Sequence, residues 1–486
     1  MSRRPPIDLA EIARHALEER GFVPHPDPAA EAEAAELMPA DGDGEPGLGT
    51  GAIRDLRQLP WFSIDNDDTR DLDQLSVAEA LPGGAVRLRV AIADVDSRVR
   101  RGGAMDGRAH AQTTSIYTPA GVFHMLPERV STGLTSLHQG EDRLAVVVEF
   151  RVDGESAVSE PEIYRARVHN HARLVYRRVD AFLEGRADDP GSAEPRILEQ
   201  VRLHERAAGW LREQRMAQGA LLLDTTAVRR GGSSLDPDDD SLHDRGRDLI
   251  EDLMLTANSA VAAYLEKRDL PSLRRLVRTP WRWPRIVELA RAAGERLPAE
   301  PDPAALAGFL RSRRLADPGG FADLSLAVVK LLGSGEYVAD LPGADAPGHF
   351  GLANGDYTHA TAPNRRFPDL VTQRVLKAAL AGAPCPYSPD EIAAIAAHCT
   401  EREDAAAKVE RQVQKAAAAL LLEGRVGERF HGVVTGASDK GTWVRIFRPN
   451  VEGRVVRGER GLDVGDKVEV RLVGLDPGRG FIDFAR

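Results

Sequence analysis

Cysteine is nearly absent: Cys385 and Cys399 are the only two in 486 residues. Two isolated thiols cannot build a disulfide framework or a four-ligand zinc site, which fits a reducing compartment and points to the cytoplasm. No run of eighteen apolar residues occurs anywhere, so the sequence carries no transmembrane helix. The opening MSRRPPIDLAEIARH lacks the apolar stretch of a secretion signal, and no such leader is expected. Positive charge is also in short supply. Lys and Arg number 64 against 75 Asp and Glu, a net charge of −11. Taken whole, that balance argues against a polyanionic partner, but its distribution weakens the objection. Residues 1–50 hold four basic and eleven acidic side chains, whereas residues 425–486 hold twelve and nine. A local positive channel can serve nucleic acid inside an acidic molecule.

Two short segments, nearly three hundred residues apart, stand out. The first runs from Ser63 to Gln74 as SIDNDDTRDLDQ, with five aspartates between Asp65 and Asp73. Charges so crowded repel unless a cation neutralises them, and hard carboxylate oxygens suit Mg²⁺ or Mn²⁺. A calcium loop does not fit. Counting from Asp65, the sixth position is Arg70 rather than Gly and the twelfth is Ser76 rather than Glu. The second segment, Tyr357 to Asp369, reads YTHATAPNRRFPD and offers Arg365 and Arg366 behind a Pro-Asn turn. Planar guanidinium groups are phosphate clamps. Either segment alone also reads as solvated surface charge. Together they suggest metal-assisted chemistry on a phosphate ester.

In this order the motifs resemble the ribonuclease II family of 3′→5′ exoribonucleases. The family's aspartate cluster stands here as Ile64-Asp65 and Asp71-Leu72-Asp73-Gln74. Further matches are Val90–Val95 (VAIADV), Thr114–Pro119 (TSIYTP), Met125–Glu128 (MLPE), Ser131–Leu137 (STGLTSL) and His349–Leu352 (HFGL), followed by the arginine segment. The resemblance covers roughly residues 60–415. It implies that Asp65, Asp71, Asp73 and Gln74 are the metal-ligating positions, with Asp73 essential for cleavage and Mg²⁺, or alternatively Mn²⁺, as the cofactor. Gln74 departs from the family, whose members usually carry a fourth aspartate there. The amide oxygen can ligate but brings no charge, and Asp67 or Asp68 is the candidate to compensate. The resemblance further implies that Arg365 contacts the scissile phosphate, and that Arg366 either contacts a neighbouring phosphate or packs structurally. By the same resemblance, Tyr117 stacks near the RNA 3′ end and Glu410 helps hold the terminal nucleotide. Tyr357 opens the arginine segment and joins the RNA-binding candidates. His359 is a general base or, preferably, a hydrogen-bonded structural histidine, because a metal-activated water needs no imidazole.

The predicted fold class is α+β, a mixed α/β catalytic region flanked by two smaller parts. Residues 1–50 read as a small helical module, helical over 7–38 and followed by a Gly-rich linker at 41–51. The module could be a helix-turn-helix or a mere acidic cap, and it stands where relatives commonly carry two cold-shock barrels. The catalytic region is expected over 51–424. Within it, Val86–Ile92 and Leu144–Phe150 read as strands, and Asp248–Arg268 and the stretch after Pro368 as amphipathic helices. Thr400–Glu403 reads as a capping box opening a helix to about Glu423. Residues 188–194 and 230–240 read as polar loops. From 425 to 486 short alternating segments separated by glycine turns predict a five-stranded OB barrel for RNA, in which Trp443 serves either base stacking or core packing.

The expected activity is processive, metal-dependent 3′→5′ hydrolysis of single-stranded RNA to 5′-mononucleotides and a short end product. No organic cofactor and no membrane are implied. Two other readings compete. Asp65–Thr69 also fits the D-x-D-x-T nucleophile motif of aspartate-dependent phosphatases, although the repeated βαβ units of that fold are missing. Gln74 and the missing cold-shock barrels leave room for a catalytically weak or inactive RNA-binding protein of the same fold.

Overall fold

The computed structural model describes residues 8–38, 53–154, 158–159, 161–223, 245–343, 348–352, 355–438, 441–463 and 466–486. The linker expected at 41–51 lies outside these residues, as does the loop expected at 230–240. Residues 8–38 form two short helices, α1 (Leu9–Glu18) and α2 (Pro28–Glu36), each started by an aspartate cap, Asp8 and Asp27. They do not make a module with its own core. Ala13, Ala16, Leu17 and Phe22 pack with Ile116, Ala406, Val409 and Val413, whereas Ala30 and Ala34 belong to the main catalytic core. Too few apolar residues occur here to sustain a separate core, so each helix borrows one.

The catalytic region is built on a seven-stranded sheet. Its strands are β1 (Arg54–Asp55), β2 (Phe62–Asp65), β3 (Gln74–Ala80), β4 (Val86–Ala93), β7 (Asp142–Val152), β8 (Glu162–His169) and β9 (Ala172–Val175). The helix α3 (Ala104–Gln112) and a two-stranded hairpin, β5 (Ile116–Thr118) and β6 (Gly121–Phe123), leave the sheet after β4. The spatial order is β1-β8-β7-β4-β3-β2-β9, antiparallel except where β1 meets β8 and β2 meets β9. Strand β4 shows why the sheet is sandwiched. Val86, Leu88 and Val90 alternate inward, and from Val90 to Ala93 every residue is buried. This largely antiparallel sheet excludes the phosphatase reading, which needs a parallel doubly wound one.

Helices follow: α4 (Tyr176–Leu183), α5 (Pro195–Ala217) and α6 (Arg245–Glu266). A two-stranded ribbon, β10 (Ser272–Leu276) with β11 (Glu336–Asp340), brackets a small helical lobe of α7 (Trp283–Ala292), α8 (Pro303–Ala316) and α9 (Pro318–Leu332). Then come α10 (Phe367–Leu380), with Pro368 in its first turn as anticipated, and α11 (Pro389–Leu421). The capping box of α11 is Ser388 with Glu391, not Thr400 with Glu403. Thr400 lies inside the helix, its hydroxyl donating to Ala396 O at 3.1 Å and accepting from Tyr337 N–H at 2.7 Å. A serine-plus-glutamate pair one element earlier, with Pro389 at the first position, outcompeted it.

Strands β12 (Arg429–Ser438), β13 (Gly441–Ile446), β14 (Val451–Arg457), β15 (Lys467–Asp476) and β16 (Phe481–Ala485) close into a barrel in the order β12-β13-β14-β16-β15, the five-stranded barrel expected from the glycine spacing. Ala419 and Leu422, at the end of α11, join the barrel core and tie it to the catalytic region.

Helix α10 carries the largest departure from the sequence pattern. Its apolar face was legible, but the charged Arg374 and Lys377, which do not belong to that apolar set, are only 2% and 1% exposed. Lys377 Nζ reaches Asp94 at 2.7 Å and Asp96 at 2.9 Å, and Arg374 bonds Asp96 at 3.0 Å and Asp106 at 2.7 Å. Arg165 holds the other oxygen of Asp94 at 2.8 Å. Burial alone would raise the Asp94 carboxyl, yet Lys377 and Arg165 hold it below the ordinary carboxylate range. A carboxyl lowered on folding contributes stability above its unfolded value and loses it as pH falls through the folded value. Lys377→Met should therefore cost about 3–5 kcal/mol at neutral pH, because Asp94 is left buried and undercompensated. The acid limb of the unfolding curve should also move to higher pH in the variant. Denaturant melts of both proteins across the acidic range check this, and identical limbs refute it.

Candidate active site

The aspartate segment is pinned from three sides. Ser136 Oγ accepts from Leu72 N–H and donates to Arg70 O, both at 2.9 Å, and Leu137 N–H donates to Leu72 O at 3.0 Å. Asp73 O accepts from Ala93 N–H at 3.0 Å, which fixes the entry into β3 beside the end of β4. On the outer side Arg173 donates to three loop carbonyls, those of Asn66, Asp67 and Thr69, each at 2.9 Å. Ser136 and Arg173 were missed by sequence reasoning. Ser136 lies within a quoted motif, but nothing in the sequence marks Arg173.

The arginine segment reaches this loop through backbone pairing. Ser115 N–H donates to Arg365 O and Phe367 N–H to Thr113 O, at 2.9 and 2.8 Å. Thr113 sits at φ 61°, a strained conformation for a β-branched residue, directly before the strand that carries Tyr117. Arg365 Nε then donates to Asp73 Oδ2 at 2.7 Å. Residues 292 positions apart, one from each of the two motifs, thus meet in an ion pair.

Tyr117 donates its hydroxyl to Asp71, and its backbone N–H is held by Glu410 Oε1 at 3.1 Å. The structure therefore brings together Asp71, Asp73, Tyr117, Arg365 and Glu410. Asp65 lies at the end of β2, buried, with Asp71 near enough to disfavour its ionisation. Gln74 opens β3, half-buried.

Other candidates fall elsewhere. Asp67 is solvent-facing and paired with Arg177 at 2.9 Å, and Asp68 is exposed, so neither takes the place of a fourth aspartate. Arg366 bonds Asp369 at 2.6 Å, the structural alternative of its two expected roles. Tyr357 is buried, its hydroxyl accepting from Asn258 Nδ2 at 3.2 Å, a core position rather than an open stacking face. His359 Nδ1 lies 2.7 Å from the Tyr337 hydroxyl, and burial drives its ring well below the usual imidazole range. That is the structural histidine. Trp443 stands on the outer face of the barrel, with Thr442 and Val444 turned inward and Gly436 beneath its ring. Phe447 and Phe481, which the sequence reading passed over, are exposed on the same barrel.

The electrostatics bear on a cation. Burial raises Asp73 to about 7 in spite of Arg365, and raises Asp65 to about 6 in spite of Ser63 and Arg173. Asp65 Oδ2 and Asp73 Oδ1 are buried with no hydrogen-bond partner. Among the described residues, however, no three carboxylates or imidazoles are gathered tightly enough to hold one ion. Asp71 is drawn to Tyr117 and Asp73 to Arg365, so these two carboxylates turn to separate partners rather than to a common point. The two orphaned oxygens are hard donors of the kind that fits a divalent cation.

Known proteins resemble this chain over most of its length. Residues 53–382 match the RNB domain, and residues 428–486 match the RNase II-type exonuclease C-terminal S1 domain. The chain is 32% identical over 423 residues to Ribonuclease R of Vibrio parahaemolyticus, covering 82% of this chain and 49% of that protein. It is 30% identical to Ribonuclease R of Thermotoga maritima, covering 99% of this chain and 70% of the other. The chain thus spans about half the length of the first of these relatives. Its fold superposes with a TM-score of 0.84 on Mycoplasma genitalium RNase R in complex with ribose-methylated single-stranded RNA, at 21% identity, covering 98% of this chain and 78% of that one. With the motifs, the sheet that positions them and the terminal barrel all in agreement, the chain belongs to the RNB-domain ribonuclease family.

Proposed function

We propose that this protein is a divalent-metal-dependent 3′→5′ exoribonuclease that degrades single-stranded RNA to 5′-mononucleotides and a short end product. One observation carries the reading: Arg365 paired with Asp73 beside two orphaned carboxylate oxygens, in a chain of this family. Asp65, Asp71, Asp73 and the Gln74 amide oxygen would hold Mg²⁺, or Mn²⁺ in its place. When bound, such an ion supplies Lewis-acid charge for an attacking water and for the phosphate.

The chain's own groups do the rest. Arg365 is held at Asp73 before substrate arrives, so its guanidinium is preorganised to exchange that carboxylate for a non-bridging phosphate oxygen. The Tyr117 hydroxyl fixes Asp71, which places the phenol ring beside the reacting end as a sequence-tolerant base platform. Glu410 orients that hairpin and would receive the terminal nucleotide. On the barrel, the outward Trp443 is a second stacking surface. In this reading the protein works in the cytoplasm, where its two free thiols are at home. The second reading, a slow or inactive RNA binder, rests on Gln74, whose neutral amide leaves the centre one negative charge short.

The decisive experiment is a time course on 5′-labelled single-stranded RNA with Mg²⁺, with Mn²⁺ and with chelator, beside matching DNA. Metal-dependent shortening from the 3′ end with DNA spared supports the exonuclease. Binding without cleavage under every metal favours the second reading. Asp73→Asn should abolish cleavage while RNA affinity persists, and retained turnover would falsify the assignment. Arg365→Ala should lower kcat by an amount equivalent to about 2.7–4 kcal/mol and change KM little. If KM carried the loss instead, Arg365 only positions RNA. Gln74→Asp should lower the Mg²⁺ concentration needed for half-maximal rate, and an unchanged requirement would remove Gln74 from the ligand set.

A further inference from the structure

Between β10 and α7 the chain makes a tight turn over Pro280, Trp281, Arg282 and Trp283, closed by Trp283 N–H donating to Pro280 O at 3.1 Å. Its outer residues are buried anchors. Pro280 is covered, and Trp283 packs edge-on against Phe350 with its indole N–H on Pro298 O at 3.0 Å. The two central residues point the other way. Trp281 is 80% exposed, and the Arg282 guanidinium lies over its ring at 4.6 Å from the centroid. Turn centres ordinarily take small polar residues, and an indole there gains nothing from the core. Its presence on a rigid turn calls for a ligand.

The surroundings say what kind. From Leu273 to Val287 the sequence contains five arginines and no acidic residue; Arg274 and Arg275 turn inward onto Asp340 and Glu403, which leaves Arg278, Arg282 and Arg285 on the surface. Arg278 and Arg285 flank the turn, exposed by 64% and 71% at their side chains. They are tethered to Glu336 and Glu288, which fixes their positions on the rim. The turn is also rooted on the segment that leads into the catalytic arginine. Phe350 N–H donates to Val277 O at 3.0 Å, and Arg275 N–H to Tyr357 O at 2.9 Å.

We infer that Trp281 and Arg282, flanked by Arg278 and Arg285, form a docking platform for single-stranded RNA, on which a base upstream of the digested 3′ end stacks. This rests on the exoribonuclease reading for the RNA's orientation. A flat π-face with a guanidinium stacked on it recognises any base, and the flanking cations meet the phosphates on either side. The patch is well suited to a polyanion with splayed bases.

The test compares the full chain with Trp281→Ala, Trp281→Phe and Arg282→Ala on two substrates, a long unstructured RNA and an oligonucleotide only long enough to fill the catalytic centre. Trp281→Ala should raise KM for the long RNA about tenfold with kcat unchanged, and leave the short substrate untouched. Trp281→Phe should retain most of the affinity. Arg282→Ala should weaken long-RNA binding and flatten its salt dependence. Equal loss on long and short RNA, or no loss on either, overturns the platform. If the wild-type chain cleaves nothing, equilibrium binding of the long RNA decides instead. Unchanged affinity in Trp281→Ala then overturns the platform, and about tenfold weaker affinity supports it although the cleavage reading has failed.

Discussion

The buried ionic knot between the sheet and helix α10 is the constraint on which the active site depends. Lys377 and Arg374 project from the helix into Asp94 and Asp96 at the end of β4, where Arg165 from β8 completes the balance. Gln373 adds two bonds, donating to Ala93 O at 2.8 Å and accepting from Asp96 N–H at 3.0 Å. Ala93 is the same residue whose N–H holds Asp73 O. The helix that begins just after Arg365 is therefore bolted to the residue that holds the Asp73 backbone. Apolar packing alone would tolerate small shifts of a helix along a sheet. Directional bonds to buried charges do not, because each misplaced one leaves an ion without a partner.

Around that knot the site is layered by the same logic. Arg173 gathers the loop carbonyls, Ser136 fixes the segment between the aspartates, and Thr113 accepts a strained backbone so that its carbonyl can receive Phe367 N–H. The carboxylates of the candidate site are then buried enough that Asp73 is raised to about 7. A bound divalent cation reverses that shift, since it is the largest local charge and favours the ionised form. Under the proposed function, substrate phosphate and a divalent metal would complete this arrangement.

The smaller parts serve the same centre from outside. Helix α1 packs against Ile116 and Val409, the immediate neighbours of Tyr117 and Glu410, so the N-terminal residues back the hairpin rather than forming a module of their own. Helix α11 starts beside α3, carries Glu410 and ends inside the barrel core, one rigid rod from active site to RNA-binding domain. A continuous helix transmits position over its whole length, about 50 Å at 1.5 Å per residue.

The sequence by itself determined the motifs and the barrel at residues 428–486. Five aspartates in nine positions and a Pro-Asn-Arg-Arg turn are local patterns, and local patterns survive without a structure. The alternation that closes the barrel and the proline opening α10 are equally local. What only the tertiary structure decided was every question of partnership. The burial of Arg374 and Lys377 could not be foreseen, because helical periodicity cannot announce acidic partners 268 or more residues away. Tyr357 and Trp443 were both aromatic candidates for RNA, yet one lies inside against Asn258 and the other lies outside over Gly436. Asp67 and Asp68 matched the cluster in sequence but not in space, since a loop wrapped around Arg173 turns them to solvent. Burial and pairing are properties of where distant segments meet, and that is set by packing rather than by spacing.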